Sequence, residues 1–374
     1  MKGNIFYQGP HKFCWPLFIL VVGIAIFGII MVHSASCFNA EKLYNNSMFF
    51  TTKQIIGFCL GLIALITCYF IDYKFLQKIW LIALAVGLIC LVIVFIPGIG
   101  IESYGAKRWI GLGAFSFQAS EVAKFCFIIF SATYMAKYKN KMQTFKGILP
   151  VLLAGGLMCL LIILEPNMSI TICVGVLLVT MLLVGGTRIK HLLMLAIPAV
   201  LLIPVLIIVE PYRLQRLLAF LDPWASPQGE GFQLIQSLYS LGSGGWFGVG
   251  LFNSRQKYSF LPFSESDFIF SIIGEELGFI GCLLVIAAFI AVIIYCLKIA
   301  IHAKDRFGCL LAIGIATILT VQVVLNIAVV TGAVPPTGLP LPFISAGSTS
   351  LVMFMSAIGI VLNIHRQSKR NMIQ

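Results

Sequence analysis

Runs of about 18 to 25 apolar residues recur from one end of this chain to the other, each long enough to cross ~30 Å of hydrocarbon. They lie near residues 16–36, 55–71, 79–96, 119–136, 149–164, 168–186, 191–209, 268–297, 308–330 and 344–363. Lipid cannot hydrogen-bond the backbone, so runs of this length are helices that satisfy their own amides. Only 10% of the residues are charged, against roughly 25% in soluble domains. The expected fold is all-α and polytopic: one integral membrane domain over residues 1–374, with about ten transmembrane helices. Lys2 and Lys12 precede the first run, which ends Ser34-Ala35-Ser36-Cys37 in imitation of a cleavage or lipidation site. Its length and the spans that follow make it an uncleaved first helix. The 11 cysteines fall mostly inside the runs, singly and without C-x-x-C spacing, and are read as packing residues.

Charge sorts by side. With both termini cytoplasmic, 16 of the 25 Lys and Arg fall on inside segments, and all acids but Asp72 and Asp305 fall outside or at outer helix mouths. This is the positive-inside pattern of a multi-pass protein of the cytoplasmic membrane. The net charge of +12 therefore reports topology and attraction to anionic lipid headgroups, and no nucleic-acid module accompanies it.

One outer connection, Glu210 to Asp267 between the seventh and eighth spans, is far longer than the rest at about 58 residues. It is rich in aromatics and carries the glycine cluster Gly242-Ser243-Gly244-Gly245, a sign of tight turns packed against something. It ends Ser264-Glu265-Ser266-Asp267-Phe268-Ile269-Phe270 and runs into Gly274-Glu275-Glu276. Ser266 or Asp267 could simply cap the eighth helix. Glu275 and Glu276, however, are costly in a membrane unless paired or hydrated, which points to function. Glu121 and Lys124, three apart at the start of the fourth span, can pair on one helical face. Lys107-Arg108-Trp109 puts two cations and a Trp at headgroup level, which an ordinary aromatic-belt anchor would also do. Arg213, Arg216, Arg255 and Lys257 bring the outer-face cations in these segments to six, and Arg suits phosphate oxygens. Glu165-Pro166-Asn167 breaks a helical hairpin, and Pro335-Pro336-Thr337-Gly338-Leu339-Pro340-Leu341-Pro342 cannot be one regular helix. Irregular backbone near a membrane lines a cavity or is shielded by protein. Walker and H-E-x-x-H sequences are missing, and none of the five His pairs at ligand spacing.

Taken in order, these pieces resemble the shape, elongation, division and sporulation family. They include Lys107-Arg108-Trp109-Ile110, Ser120-Glu121…Lys124, Glu165-Pro166, Tyr212-Arg213…Arg216, Asp222-Pro223-Trp224, Gln256-Lys257, Asp267-Phe268-Ile269-Phe270…Glu275-Glu276 and Pro340-Leu341-Pro342-Phe343-Ile344-Ser345. Ala119, Asn167 and Ala346-Gly347-Ser348 depart from the family pattern.

The resemblance implies a bacterial peptidoglycan glycosyltransferase for division, elongation or sporulation. It would join lipid II, a disaccharide-peptide on undecaprenyl diphosphate, into glycan strands outside the cytoplasmic membrane, with inversion at the anomeric carbon. Such chemistry needs a general base and stabilisation of a leaving diphosphate. Asp267 is the base candidate; Arg108, Lys107, Arg213, Arg216 and Lys257 are candidate substrate cations, and Glu121 and Lys124 candidate cavity residues. A divalent cation, magnesium or manganese, is a further candidate whose ligands the sequence does not name. The expected partners are lipid II, the growing lipid-linked glycan, membrane lipid and a class B penicillin-binding protein. Gly274, Gly278, Gly281, Gly308 and Gly314 on the eighth and ninth spans would offer that partner a close approach. A lipid II flippase and a non-catalytic scaffold for wall-synthesis enzymes are the alternatives.

Overall fold

The computed structural model describes residues 13–103, 106–112, 115–208 and 211–368. Helices α1 (Trp15–Tyr44), α2 (Phe49–Phe70), a short α3 (Lys74–Lys78) and α4 (Trp80–Ile93) come first. Strands β1 (Gly100–Ser103), β2 (Ala106–Leu112) and β3 (Phe115–Gln118) follow, then α5 (Ala119–Lys137), α6 (Phe145–Leu164), α7 (Met168–Val184) and α8 (Ile189–Ile208). The chain continues through α9 (Pro211–Leu221), α10 (Phe232–Gly244), α11 (Ile269–Ile301), α12 (Arg306–Val330) and α13 (Ser348–Gln367). Each of the ten apolar runs coincides with a helix. Among the described residues seven of these are long and apolar enough to cross a membrane, and α4 and α7 are shorter apolar helices.

The least apolar of the seven, α5, is also the most buried. It packs on α4, α12, α13 and α6, and it carries Ser120, Glu121, Lys124, Ser131 and Thr133 inside the bundle. Only a helix shielded from lipid can hold an ion pair at that depth. Helices α1, α2, α6 and α11 instead turn Ile19, Ile63, Leu153 and Leu284 outward, as a lipid-facing surface requires.

Two of the segments between spans differ from the expectation. The three short strands form an antiparallel sheet of order β1-β2-β3, with Trp109 opposite Ile101 on one side and Gln118 on the other. The strands are too short to stand out beside apolar runs of twenty. The connection from 210 to 267 is not one long loop either, since it folds into α9 and α10. The latter buries Leu234, Ile235, Ser237 and Ser240 and packs on α11 and α12.

The 33-residue α11 is broken at Gly278, whose φ of 68° lies in the left-handed region that glycine tolerates. Residues 279–301 after the break are by themselves long enough to span. The break seats the 245–250 backbone: Phe279 and Ile280 N–H donate to Gly245 and Trp246 carbonyls, and Val249 and Gly250 N–H to Glu275 and Glu276 carbonyls. A side chain at Gly278 would collide with Trp246 and Phe247, one at Gly274 with Leu241, and one at Gly314 with Ile128. Gly308 faces Tyr73. A side chain at Gly281 would meet Leu277, so all five glycines expected to receive a partner pack within this chain, because broken and crossing helices need the same close approach as paired ones.

Candidate active site at the helix mouths

The proline segment between α12 and α13 organises the site. Prolines 335, 336, 340 and 342 have no N–H, so the segment cannot satisfy its own carbonyls by regular structure. Side chains from three helices do so. Arg216 Nη1 of α9 donates to the Pro336 carbonyl at 3.1 Å, Ser169 Oγ of α7 to Thr337, Asn326 Nδ2 of α12 to Leu339 at 2.6 Å, and Gln322 Nε2 of α12 to Pro340 at 3.0 Å. Ser345 Oγ accepts from Leu341 N–H and donates to the Ser266 carbonyl at 2.6 Å, while Ala346 N–H donates to Glu265. The segment is thereby tied to the strip that carries Asp267.

Asp267 is not a helix cap. Phe268 occupies the N-cap of α11 and no side chain caps it. The Asp267 carbonyl accepts from Asn326 Nδ2 at 2.8 Å, yet among the described residues no hydrogen bond reaches its half-buried carboxylate. Gly338, at φ 71°, faces it so closely that a Cβ there would stand 3.2 Å from Oδ2. Burial and the neighbouring Glu265 push the Asp267 carboxyl up to about 6, while the charges of Arg216 and Arg108 pull it down. Burial also raises Glu265, against the pull of its own backbone and of Ser264.

Arg108 reaches the site through β-strand alternation. With a period of two it shares a face with Ile110, which is 3% exposed, while Lys107 points into solvent. The Arg108 guanidinium donates from Nε to the Glu165 carbonyl at 3.2 Å and from Nη2 to the Pro166 carbonyl at 2.5 Å. These two acceptors are neutral carbonyls, and they aim the guanidinium. The Glu165 side chain beside it is buried, with neither oxygen hydrogen-bonded. Burial lifts it to about 8, against the pull of Arg108. Arg213 lies one turn before Arg216 on α9, half-buried. Arg216 also lies 3.9 Å from Glu230.

Three expected substrate residues sit elsewhere. Glu121 and Lys124, both 0% exposed, bond to each other at 2.6 Å, and Lys124 also donates to Gln322 Oε1 at 2.8 Å. They meet protein, not an open cavity, because the ion pair is sealed between helices. Lys257 is 6% exposed and pairs with Glu276 at 3.3 Å beside the Phe252 carbonyl. Glu276 also accepts from Ser34 and Ser254, and Glu275 from Ser240, Ser254, Arg255 and Gln256. These two acids therefore clamp the 245–257 backbone to α11, and Glu276 Oε2 is left buried without a hydrogen bond.

Sequence reasoning missed Gln322, Asn326 and Gly338. The first two did leave a signal: amides four apart, hence on one face, in an otherwise apolar helix. Among the described residues no three His, Cys, Asp or Glu side chains gather where they could hold a metal ion.

Known proteins share this sequence pattern and fold. The FtsW/RodA/SpoVE family, described as cell cycle protein, matches residues 15–370. Stage V sporulation protein E of Bacillus subtilis (strain 168) is 38% identical over 94% of this chain and 97% of its own. A probable peptidoglycan glycosyltransferase FtsW of Trichlorobacter lovleyi is 39% identical over 93% and 92%. Among solved structures, a chain of a peptidoglycan synthase complex that coordinates polymerization and crosslinking superposes with a TM-score of 0.79. That chain is 27% identical, with 95% of this chain and 98% of that one covered. Thermus thermophilus rod shape determining protein RodA shares the fold, with a TM-score of 0.71 at 23% identity over 96% and 99%. An integral membrane protein with this helix order, these motifs and these relatives belongs to the FtsW/RodA/SpoVE family, the shape, elongation, division and sporulation proteins.

Proposed function

We propose that this chain is a peptidoglycan glycosyltransferase that polymerises lipid II on the outer face of the cytoplasmic membrane, with Asp267 as general base. The observation that carries this is the Asp267 carboxylate itself: free of hydrogen bonds among the described residues, raised by burial, and within the field of Arg108 and Arg216. The acceptor sugar hydroxyl gives its proton to Asp267 as its oxygen bonds to the anomeric carbon of the donor. The bond from that carbon to the lipid diphosphate breaks, and the electron pair leaves with the diphosphate. A single displacement of this kind turns an α-linked donor into a β-linked product. Arg108 and Arg216 offset the charge of the leaving diphosphate, and Arg213 and the exposed Lys107 add to the attracting field. A base near 6 is well placed for neutral pH, being mostly ionised yet stronger than an ordinary aspartate.

A divalent cation at the diphosphate would find few protein ligands among the described residues. No step is assigned to one.

The names of the relatives support wall synthesis, and the synthase complex supports a crosslinking partner, for which a class B penicillin-binding protein is the proposed candidate. Purified protein given lipid II, alone and with that partner, should extend glycan strands. Transport of lipid II without polymer formation would favour a flippase instead. Both termini are assigned to the cytoplasm on charge. In a chain freed of its native cysteines, a cysteine at position 228 should then be labelled on intact cells and one at position 140 should not.

A further inference from the structure

Gln322 and Asn326 lie between the buried ion pair of α5 and the backbone of Asp267. Their orientations are fixed by their neighbours. The Lys124 ammonium can only donate, so it faces Gln322 Oε1 at 2.8 Å and turns Nε2 toward the Pro340 carbonyl at 3.0 Å. The carbonyls of Leu339 and Asp267 can only accept, so Asn326 must present Nδ2 to both, at 2.6 and 2.8 Å. That leaves Asn326 Oδ1 buried without a partner. An apolar side chain here would avoid that cost, so packing alone does not account for an asparagine.

The contacts form one continuous path. Glu121 holds Lys124, Lys124 fixes Gln322, and Gln322 and Asn326 grip the proline segment on either side of the Leu339–Pro340 bond. Gly338, next in that segment, stands against the Asp267 carboxylate, and Asn326 also holds the Asp267 main chain. We propose that Gln322 and Asn326 are positioning residues that lock Asp267 and the proline segment in their reactive placement, with the Glu121–Lys124 pair as the rigid base on which they rest. This deepens the reading of Asp267 as the base and depends on it. A misplacement of about 1 Å can cost ~10²-fold in rate, so substitution should act on turnover more than on substrate affinity.

The test uses purified full-length Asn326→Leu and Gln322→Met, the conservative Asn326→Gln and Gln322→Glu, and Asp267→Asn measured beside them on lipid II. Asn326→Leu and Gln322→Met should lower kcat about 10²-fold while KM changes less than about threefold, with partial rescue by the conservative variants. In the Asp267→Asn background the same changes should cost nothing further, because their effect passes through that carboxylate. Independently of turnover, infrared titration of the Asp267 carboxyl, identified by its loss in Asp267→Asn, should show its midpoint displaced in Asn326→Leu. Wild-type kcat in both apolar variants, or an undisplaced midpoint, overturns the proposal. So does an equal loss in the Asp267→Asn background, which marks a purely structural role. Wild-type activity of Asp267→Asn itself would instead remove the base assignment, a separate outcome.

Discussion

Asp267 and Glu275 lie eight positions apart, the one just before α11 and the other in its first turns, yet the chain treats them in opposite ways. Glu275 and Glu276 collect several donors from α1, α10 and the 245–257 segment, and Glu276 Oε1 faces Lys257 besides, although Glu276 Oε2 is buried without a partner. Asp267 receives no hydrogen bond at its carboxylate among the described residues, and it lies between a like charge, Glu265, and two guanidiniums. An acid that already collects several donors from its own chain holds structure together and has less left for a substrate. One kept in the field of cations, but without a partner, can take a proton and shift its charge during a reaction. In a membrane protein both are buried, so burial alone does not separate the two roles; the tally of donors does.

The largest effect should come from removing the lone carboxylate. Asp267→Asn keeps the shape and should lower polymerisation by ~10²–10⁴-fold with normal yield of folded protein. Near-normal strand synthesis by the purified variant would erase the contrast with Glu275.

Next comes pH. Because the Asp267 carboxyl is raised to about 6, turnover needs its ionised form and should fall about tenfold per unit below that value. The stability linkage has the other sign: protonation relieves the buried charge, so the contribution of Asp267 to stability is greatest at acid pH and lost as pH rises through about 6. A rate profile flat down to pH 4, checked against thermal melts over the same range, would break the assignment.

Arg108→Ala should weaken use of the lipid diphosphate by roughly tenfold or more, and Lys should rescue it only in part, since a point charge cannot engage two carbonyls and a phosphate together. Unchanged KM and turnover would return Arg108 to a surface anchor.

The smallest effect on chemistry belongs to the other cluster. Glu276→Gln leaves the Lys257 charge buried and unpaired, which should cost about 3–5 kcal/mol of stability, while turnover per folded molecule stays within about threefold. A collapse of turnover with unchanged melting would make Glu276 a reacting group and reverse the comparison.

Ten helices, their order and the family followed from apolar run length and short motifs, because the price of bare backbone in lipid leaves one solution for each run. Arg108 and Arg216 were legible as candidates because cations on segments that the charge pattern assigns to the outer side oppose the usual bias, and Asp267 because it is an acid at the edge of a span. What the sequence could not decide is which acids are already paired. In a one-dimensional list of charges Lys257 looks like Arg108, and Glu275 like Asp267. Pairing across 223 residues, as between Ser34 and Lys257, or across 198, as between Lys124 and Gln322, has no local signature. The β-hairpin that turns Arg108 inward, the break at Gly278 and the grip of Gln322 and Asn326 on the proline segment were decided only when the helices packed, because hydrogen-bond satisfaction is a property of the whole bundle and not of any one span.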